Sequence, residues 1–407
     1  MTYLNKMDSI TDEAYFKAID AVKKCITKNG LYASGGISGY NSIWSRDSII
    51  TFLGASLVKD KEIKLAFKKS LDYLAKFQNE LGEIPNCIDI FDKVRPKQVT
   101  FATIDSSLWY IIGEYAYALN YKDKSLLNKH KKNIEKAFLW LRYQDAGSEG
   151  LPEQQPTSDW QDAFPHKYGH VLNTQALYYA ALRISGKLKP ATKIKGIING
   201  KYYKDFYSQH GKRLSIPWRK DLVFYDQQLG YYLPWIWKDH NGDREHEEWF
   251  DSLGNLLTLV FGATDNQRAN SVLKYIEKEN VAYPYPIRAI DPPISPRDLE
   301  WKSYFSKCIS KPYEYLNGGV WPFIGGFYIA ALVKLKKYSE AMKELHKLAV
   351  ACKEGKEEEW EFNEWLHGET GRPMGGSYQA WSAGMYIYAY ECVKRKELPI
   401  FESFKLG

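Results

Sequence analysis

Two kinds of helical stretch alternate along the chain. Over 60–78, Ile63, Phe67, Leu71, Leu74 and Phe77 recur at helical spacing on one face while lysines cover the other. The stretches 124–143, 264–278 and 338–353 repeat this design, rich in Lys and Glu with a single apolar stripe. Between them lie SLWYIIGEYAYAL, TQALYYAALR, LGNLLTLVFGA, FIGGFYIAALVKL and QAWSAGMYIYAYEC, apolar nearly all round, as helices are when buried on more than one side. The full reading is twelve helices at 12–28, 47–58, 60–78, 104–120, 124–143, 171–185, 189–208, 247–261, 264–278, 320–335, 338–353 and 377–393, the first opening on Thr11 as N-cap. Six buried and six half-exposed helices in alternation describe two concentric rings, an all-α (α/α)6 barrel occupying 1–407 as one domain. A repeat solenoid also alternates helices but keeps a fixed period, and the spacings here are irregular.

Composition narrows the class of partner. The aromatic share is 15%, with 13 Trp and 31 Tyr, and such rings suit a site that stacks against flat, hydroxyl-rich ligands as well as a large core. The net charge of +7 comes from lysines spread over solvated helix faces, with no compact basic stripe, so nucleic acid is not an expected partner. Five cysteines, far apart and without CxxC spacing, speak against a disulfide framework or a zinc site. No apolar run approaches a membrane span and the N-terminus shows no signal-peptide core, which leads to the expectation of a cytoplasmic protein.

In a barrel of this kind the inner helices run parallel, so the loops entering them open at one end. Those loops are the unusual ones: GGISGYNSIWSRD (35–47), FATID (101–105), PTSDWQDAFPHKYGH (156–170), EHEEWFDS (245–252), YEYLNGGVWP (313–322) and FNEWLHGETGRPMGGSYQAW (362–381). Their polar, aromatic and glycine residues imply a binding cleft.

Carboxylates in these loops suggest the chemistry. Glycosidic cleavage needs a protonated acid at the leaving oxygen and a second carboxylate for the attack. Asp162, flanked by Trp160 and Phe164, has an apolar setting that raises its pKa and makes it the candidate acid; capping of the next helix is its ordinary alternative. Glu364, in the glycine-rich NEWLHGETGRPMGG, is the candidate base, among several surface glutamates nearby. Trp44, Arg46 and Asp47 offer a stacking face and paired hydrogen bonds to sugar hydroxyls, unless Arg46 and Asp47 simply form an ion pair. Asp105, Asp251, Asn317, Trp321, Arg372 and Gln379 are weaker candidates that capping or core packing would also explain.

Other chemistries find less support. His166 and His170 have metal-like spacing but no matching acidic or thiol cluster in the sequence, so neither metal nor cofactor is expected. GGISG lacks the Lys-Ser/Thr of a phosphate loop, and neither a G-x-S-x-G elbow nor a strand-borne G-x-G-x-x-G occurs.

Taken together, IWSRD, IDSSLW, DWQDA, NGGVWP and HGETGRPMG resemble the glucosidase domain of glycogen debranching enzymes, the amylo-α-1,6-glucosidases, and also the alkaline/neutral invertases. The resemblance runs from about residue 35 to about 390. It implies an inverting (α/α)6 glycosidase with Asp162 of DWQDA as general acid and Glu364 of EWLHGETGR as general base. It further implies that Trp44, Arg46, Asp47, Asp105, Asn317 and Trp321 line the subsite for the non-reducing sugar. Trp160, Gln175, His367, Arg372 and Gln379 are further candidate substrate-binding positions in or near the same loops. NGGVWP shares features with both families, whereas HGETGRPMG leans toward the debranching type. The expected substrate is a small soluble di- or oligosaccharide, an α-glucoside first and sucrose second; a barrel that binds carbohydrate without cleaving it is the reading from a different class.

Overall fold

A computed structural model describes residues 9–36, 39–88, 99–163, 166–200, 222–239, 243–404 and 406. Its helices are α1 (Ser9–Lys24), α2 (Ser45–Ala55), α3 (Lys61–Lys76), α4 (Asp105–Tyr121), α5 (Ser125–Lys129), α6 (Lys131–Tyr143), α7 (Leu172–Ile184), α8 (Leu188–Ile198), α9 (Ser252–Val260), α10 (Asn266–Lys278), α11 (Pro322–Lys334), α12 (Tyr338–Lys353) and α13 (Ala380–Arg395). Helices α2, α4, α7, α9, α11 and α13 pack each on the next, and α13 packs back on α2, so an inner ring closes. Outside it, α1 lies on α12 and α13, α3 and α6 on α4, and α8 on α7. This is the (α/α)6 barrel that the alternation predicts.

The two rings obey different local rules. Outer helices bury one stripe, such as Ile63, Ala66, Phe67, Leu71 and Leu74 of α3, and some are conventionally capped: the Asp60 side chain accepts from the Glu62 and Ile63 amides, and Asp265 from Arg268. Inner helices are buried all round, every residue from Pro322 to Val333 of α11 among them. Their entry residues Trp44, Val171, Trp321 and Gln379 are extended and make no side-chain cap. Short antiparallel pairings hold these entries instead: Ile43 with Ile88, Cys87 with Thr100, His170 with Ile236, Phe250 with Asp291, Val320 with Leu366 and Ser34 with Gln379. A collar of strand pairs thus fixes the loops at one end of the barrel.

Ring closure depends on two glycines. A Cβ on Gly54 of α2 would lie 1.8 Å from the Gly384 carbonyl oxygen, and one on Gly384 would lie 2.5 Å from the Thr51 Cα. The first and last inner helices therefore meet backbone to backbone.

Several expectations need correction. Thr11 is not an N-cap; it lies inside α1, fully buried, and its carbonyl accepts from the Tyr386 hydroxyl. Helix α1 ends at Lys24, beyond which Ile26–Thr27 pairs with Gly30–Leu31 in a hairpin. The stretch 124–143 breaks at His130, whose ring nitrogens face Glu114 at 2.7 Å and Asp72 at 3.1 Å, an interaction between α4 and α3 that periodicity does not reveal. Of the stretch 189–208, α8 accounts for Leu188–Ile198, and 201–208 lies outside the described residues.

Candidate active site

Arg46 organises the centre of the collar. It stands in the first turn of α2, buried, and its Nη1 reaches both Asp105 oxygens, at 3.0 and 3.3 Å, in the first turn of α4. Its Nη2 lies 3.6 Å from Asp162 Oδ2, and its Nε 3.9 Å from Asp47 Oδ2. The expected alternative of an Arg46–Asp47 ion pair is present but long, and the closer partner of Arg46 is Asp105. Burial works against the charge on Arg46, but the facing carboxylates Asp105, Asp162 and Asp47 outweigh it and keep the guanidinium protonated.

Asp162 leaves 37% of its side chain open although the surrounding protein crowds it, as a group at the floor of a pit does. Burial pushes its carboxyl up to about 6; Arg46 pulls it down, while Asp105 and Asp159 push it further up. Phe164, expected to flank it, lies outside the described residues. Asp47 is held more tightly, with 7% of its side chain exposed, and burial carries it up to about 7 against the pull of Arg46.

Glu364 comes from the loop before α13, across the ring from the loop that delivers Asp162 to α7. It is buried, and its oxygens are engaged by donors: the Tyr40 hydroxyl reaches Oε1 at 3.2 Å and the Gly376 amide reaches Oε2 at 3.0 Å. The neighbouring Gly375 has φ +68°, and a Cβ there would meet Glu364 Oε2 at 2.6 Å, so glycine lets the loop fold over the carboxylate. Burial raises the Glu364 pKa, and the bonds from Gly376 and Tyr40 oppose the rise. The Tyr315 hydroxyl in turn hydrogen-bonds to Tyr40, and both phenols feel the charges of Glu364 and Asp162. One cleft therefore holds both candidate carboxyls.

Below the cleft lies an aromatic floor. Trp160 and Trp321 meet edge-on at 5.6 Å, Trp321 and Trp381 at 5.8 Å, Phe323 stacks on Trp381 at 4.2 Å, and Arg46 sits 6.0 Å from the Trp381 ring. The indole N–H groups of Trp44, Trp160 and Trp381 and the Gln379 side-chain oxygen are buried without a protein partner among the described residues. Such unspent donors and acceptors suit a ligand made of hydroxyl groups.

Not every expected residue reaches the cleft. Asp105 is fully buried and holds Arg46, so it acts behind the surface. Asn317 is also fully buried, its oxygen accepting from the Ile294 amide and its nitrogen donating to the Ile294 and Ser310 carbonyls, which leaves the amide no capacity for substrate. Trp321 spends its indole N–H on the Tyr315 carbonyl at 2.9 Å, and Gln175 donates to the Pro152 carbonyl at 2.7 Å. Asp251, fully buried, faces Lys167 at 3.9 Å instead of the cleft. His367 is half-buried on the rim, its Nδ1 accepting from the amides of Glu369 and Thr370, and Arg372 is exposed nearby.

Sequence reasoning missed Tyr40, Tyr315, Trp381 and Lys167. All four lie in the decorated loops or just beyond, but tyrosine and tryptophan are too common here for position alone to single them out. Lys167, buried, makes a 2.8 Å ion pair with Asp159, which makes that aspartate part of the scaffold.

Comparison with known proteins agrees with this picture. Residues 16–144 match the amylo-alpha-1,6-glucosidase family model, and residues 224–396 match that of alkaline and neutral invertase. Arg46, Asp47 and Asp105 fall in the first stretch and Glu364 in the second, while Asp162 falls between them. Alkaline/neutral invertase C, mitochondrial, of Arabidopsis thaliana is 26% identical over 332 residues, covering 72% of this chain and 49% of its own length. Neutral/alkaline invertase 1, mitochondrial, of Oryza sativa subsp. japonica is 24% identical over 322 residues, covering 70% of this chain and 50% of its own. The chain thus spans about half the length of the curated relatives it matches.

Among solved structures, the GH63 mannosylglycerate hydrolase from Thermus thermophilus, in complex with Tris and D-glycerate, superposes with a TM-score of 0.61 at 16% identity, covering 92% of this chain and 99% of that one. A bacterial glucoamylase complexed with acarbose gives 0.56 at 14% identity, over 99% of this chain and 59% of that one. The class these proteins share is the (α/α)6-barrel glycoside hydrolase. The sequence relatives within it are invertases, and the family models are those of invertase and amylo-alpha-1,6-glucosidase.

Proposed function

We propose that the chain is an inverting, exo-acting glycoside hydrolase in which Asp162 is the general acid and Glu364 the general base. The observation that carries this reading is the contrast between the two carboxyls. Asp162 is open to the cleft with its pKa raised to about 6, so it can hold a proton near neutral pH, whereas Glu364, also raised by burial, receives two donors that favour its ionised form.

The chemistry follows from that contrast. Asp162 gives its proton to the glycosidic oxygen as the bond to the anomeric carbon breaks. Glu364 takes a proton from a water that attacks the anomeric carbon from the opposite face, so the configuration inverts. Asp162 is left ionised and Glu364 protonated, and exchange with solvent restores both. Loops entering opposite sides of the ring suit the roughly 6.5–9.5 Å separation that leaves room for this water, wider than the ~5–5.5 Å of direct attack. Trp44, Arg46, Asp47 and the unspent polar atoms around them hold the sugar, and activity needs no metal or cofactor.

The substrate we infer is a small α-glucoside of the α-1,6 type, by resemblance of HGETGRPMG to the debranching enzymes; sucrose is the second reading, favoured by the names of the curated relatives. Among the described residues no helix is long and apolar enough to cross a membrane. The five cysteines lie far apart in sequence, which fits a reducing compartment that we take to be the cytoplasm. Sugar release from isomaltose, panose, maltose, trehalose, kojibiose and sucrose in parallel tests the substrate. Proton NMR of the first anomer formed tests the mechanism: β-glucose should appear first. Initial α-glucose would mean a covalent intermediate and would end the pairing of Asp162 with Glu364, and no release from any glycan would leave a binding barrel.

A further inference from the structure

Away from the carboxyl pair, the turn that follows α6 folds around a second constellation. Ligand atoms of Glu149, Glu153 and His170 all lie within 4.8 Å of one another. Glu149 and His170 are each 3% exposed, and Glu149 Oε2 and His170 Nδ1 are buried without a hydrogen-bond partner. His170 also feels the Pro152 backbone. Two buried, unpartnered ligand atoms, Glu149 Oε2 and His170 Nδ1, thus lie within reach of one ion. Lys238 does not fill the gap, since its Nζ lies 2.8 Å from the other Glu149 oxygen, Oε1.

The surroundings are built to bring these groups together. A Cβ on Gly147 would lie 2.1 Å from Glu149 Oε2, so a side chain there would push this carboxylate aside, and the Gly147 backbone also faces the Glu153 carboxylate. Glu153 is half-buried and lines a cavity of about 500 Å³ with Gln154, Tyr168, Gly169 and Trp237, which opens a route from solvent.

We propose that Glu149, Glu153 and His170 bind a divalent first-row transition cation such as zinc or manganese. One imidazole and two carboxylates are a donor set for these ions in preference to calcium or magnesium, which favour oxygen alone. The ion ties the 144–154 turn to the strand entering α7, in the same loop as Asp162, and so braces the acid's loop without entering the reaction.

The test uses the full chain, freed of metal by a chelator and then dialysed, with melting followed as zinc, manganese or calcium chloride is added. Zinc or manganese should raise Tm by roughly 3–5 °C at a hundredfold excess over Kd, with calcium inert. Glu153→Gln, which removes a half-buried ligand and no ion pair, should abolish the rise while leaving the metal-free Tm close to wild type. His170→Gln should abolish it too. The proposal is overturned if neither transition ion shifts Tm, if the shift survives in both variants, or if a crystal grown with zinc shows a water bridging Glu149 and His170.

Discussion

The hydrogen bond from Tyr40 to Glu364 makes a quantitative claim about pH. In Tyr40→Phe the ring remains and only the hydroxyl is lost, so Glu364 keeps the Gly376 amide as donor but loses the bond at Oε1. A hydrogen bond to a charged group contributes about 1.5–3 kcal/mol. At roughly 1.4 kcal/mol per pKa unit, its loss raises the Glu364 pKa by about one to two units. Tyr40 is 41% exposed, so water will take over part of the vacated bond and the lower figure, about one unit, is the expected one. Because Glu364 acts ionised, a higher pKa narrows the active range from the acid side only. The acidic limb of the kcat/KM profile should move up by about one unit, with a loss of about tenfold below the limb and little change on the plateau. A profile measured across the full bell on the best sugar checks this. A uniform fall with an unmoved acidic limb would show that Tyr40 serves substrate binding alone, and a shift of the alkaline limb instead would place its influence on Asp162.

Asp162→Asn and Glu364→Gln should each lower turnover by roughly 10²-fold to 10⁴-fold with little change in Tm, and near wild-type turnover in either would remove that residue from the catalytic pair. Asp47, raised to about 7 from an ordinary 3.8, has a folded pKa above its unfolded one, so the stability it lends is full below pH 3.8 and lost as pH rises through 7. Asp47→Asn should therefore stabilise the fold at pH 8, by up to about 4 kcal/mol, and clearly less at pH 5; urea midpoints that differ by the same amount at both pH values would contradict this. Arg46→Met strands Asp105 in the interior and should cost about 3–5 kcal/mol, much of it regained in Arg46→Met/Asp105→Leu; a cost under about 1 kcal/mol would mean the pair is not what holds the entry turns together.

The barrel was legible because burial leaves a periodic signature: α3 shows one stripe and α11 shows none, and the order of such helices is enough to imply two rings. Helix ends were less legible. Most inner helices begin at extended residues such as Trp44 and Gln379 instead of capping side chains, and strand pairing between distant loops has no local signal. The same distinction runs through the site. Loops before inner helices pointed to the cleft, but whether a residue faces the cleft or the scaffold depends on partners far away in sequence. Asn317 turned inward to Ile294 and Ser310, and Asp105 to Arg46, whereas Tyr40 came forward to Glu364.

The backbone contact between Gly54 and Gly384 bears on how the molecule is made. During synthesis α2 emerges well before α13, the inner helix that covers one of its flanks. Until then an apolar flank stays open, and it remains open in any chain cut short before α13. Such a topology, rich in contacts between distant segments, slows folding and exposes sticky intermediates. Closing the ring is therefore an event that couples the first and last inner helices, and a side chain at either glycine would act on the yield of folded protein before it could act on sugar.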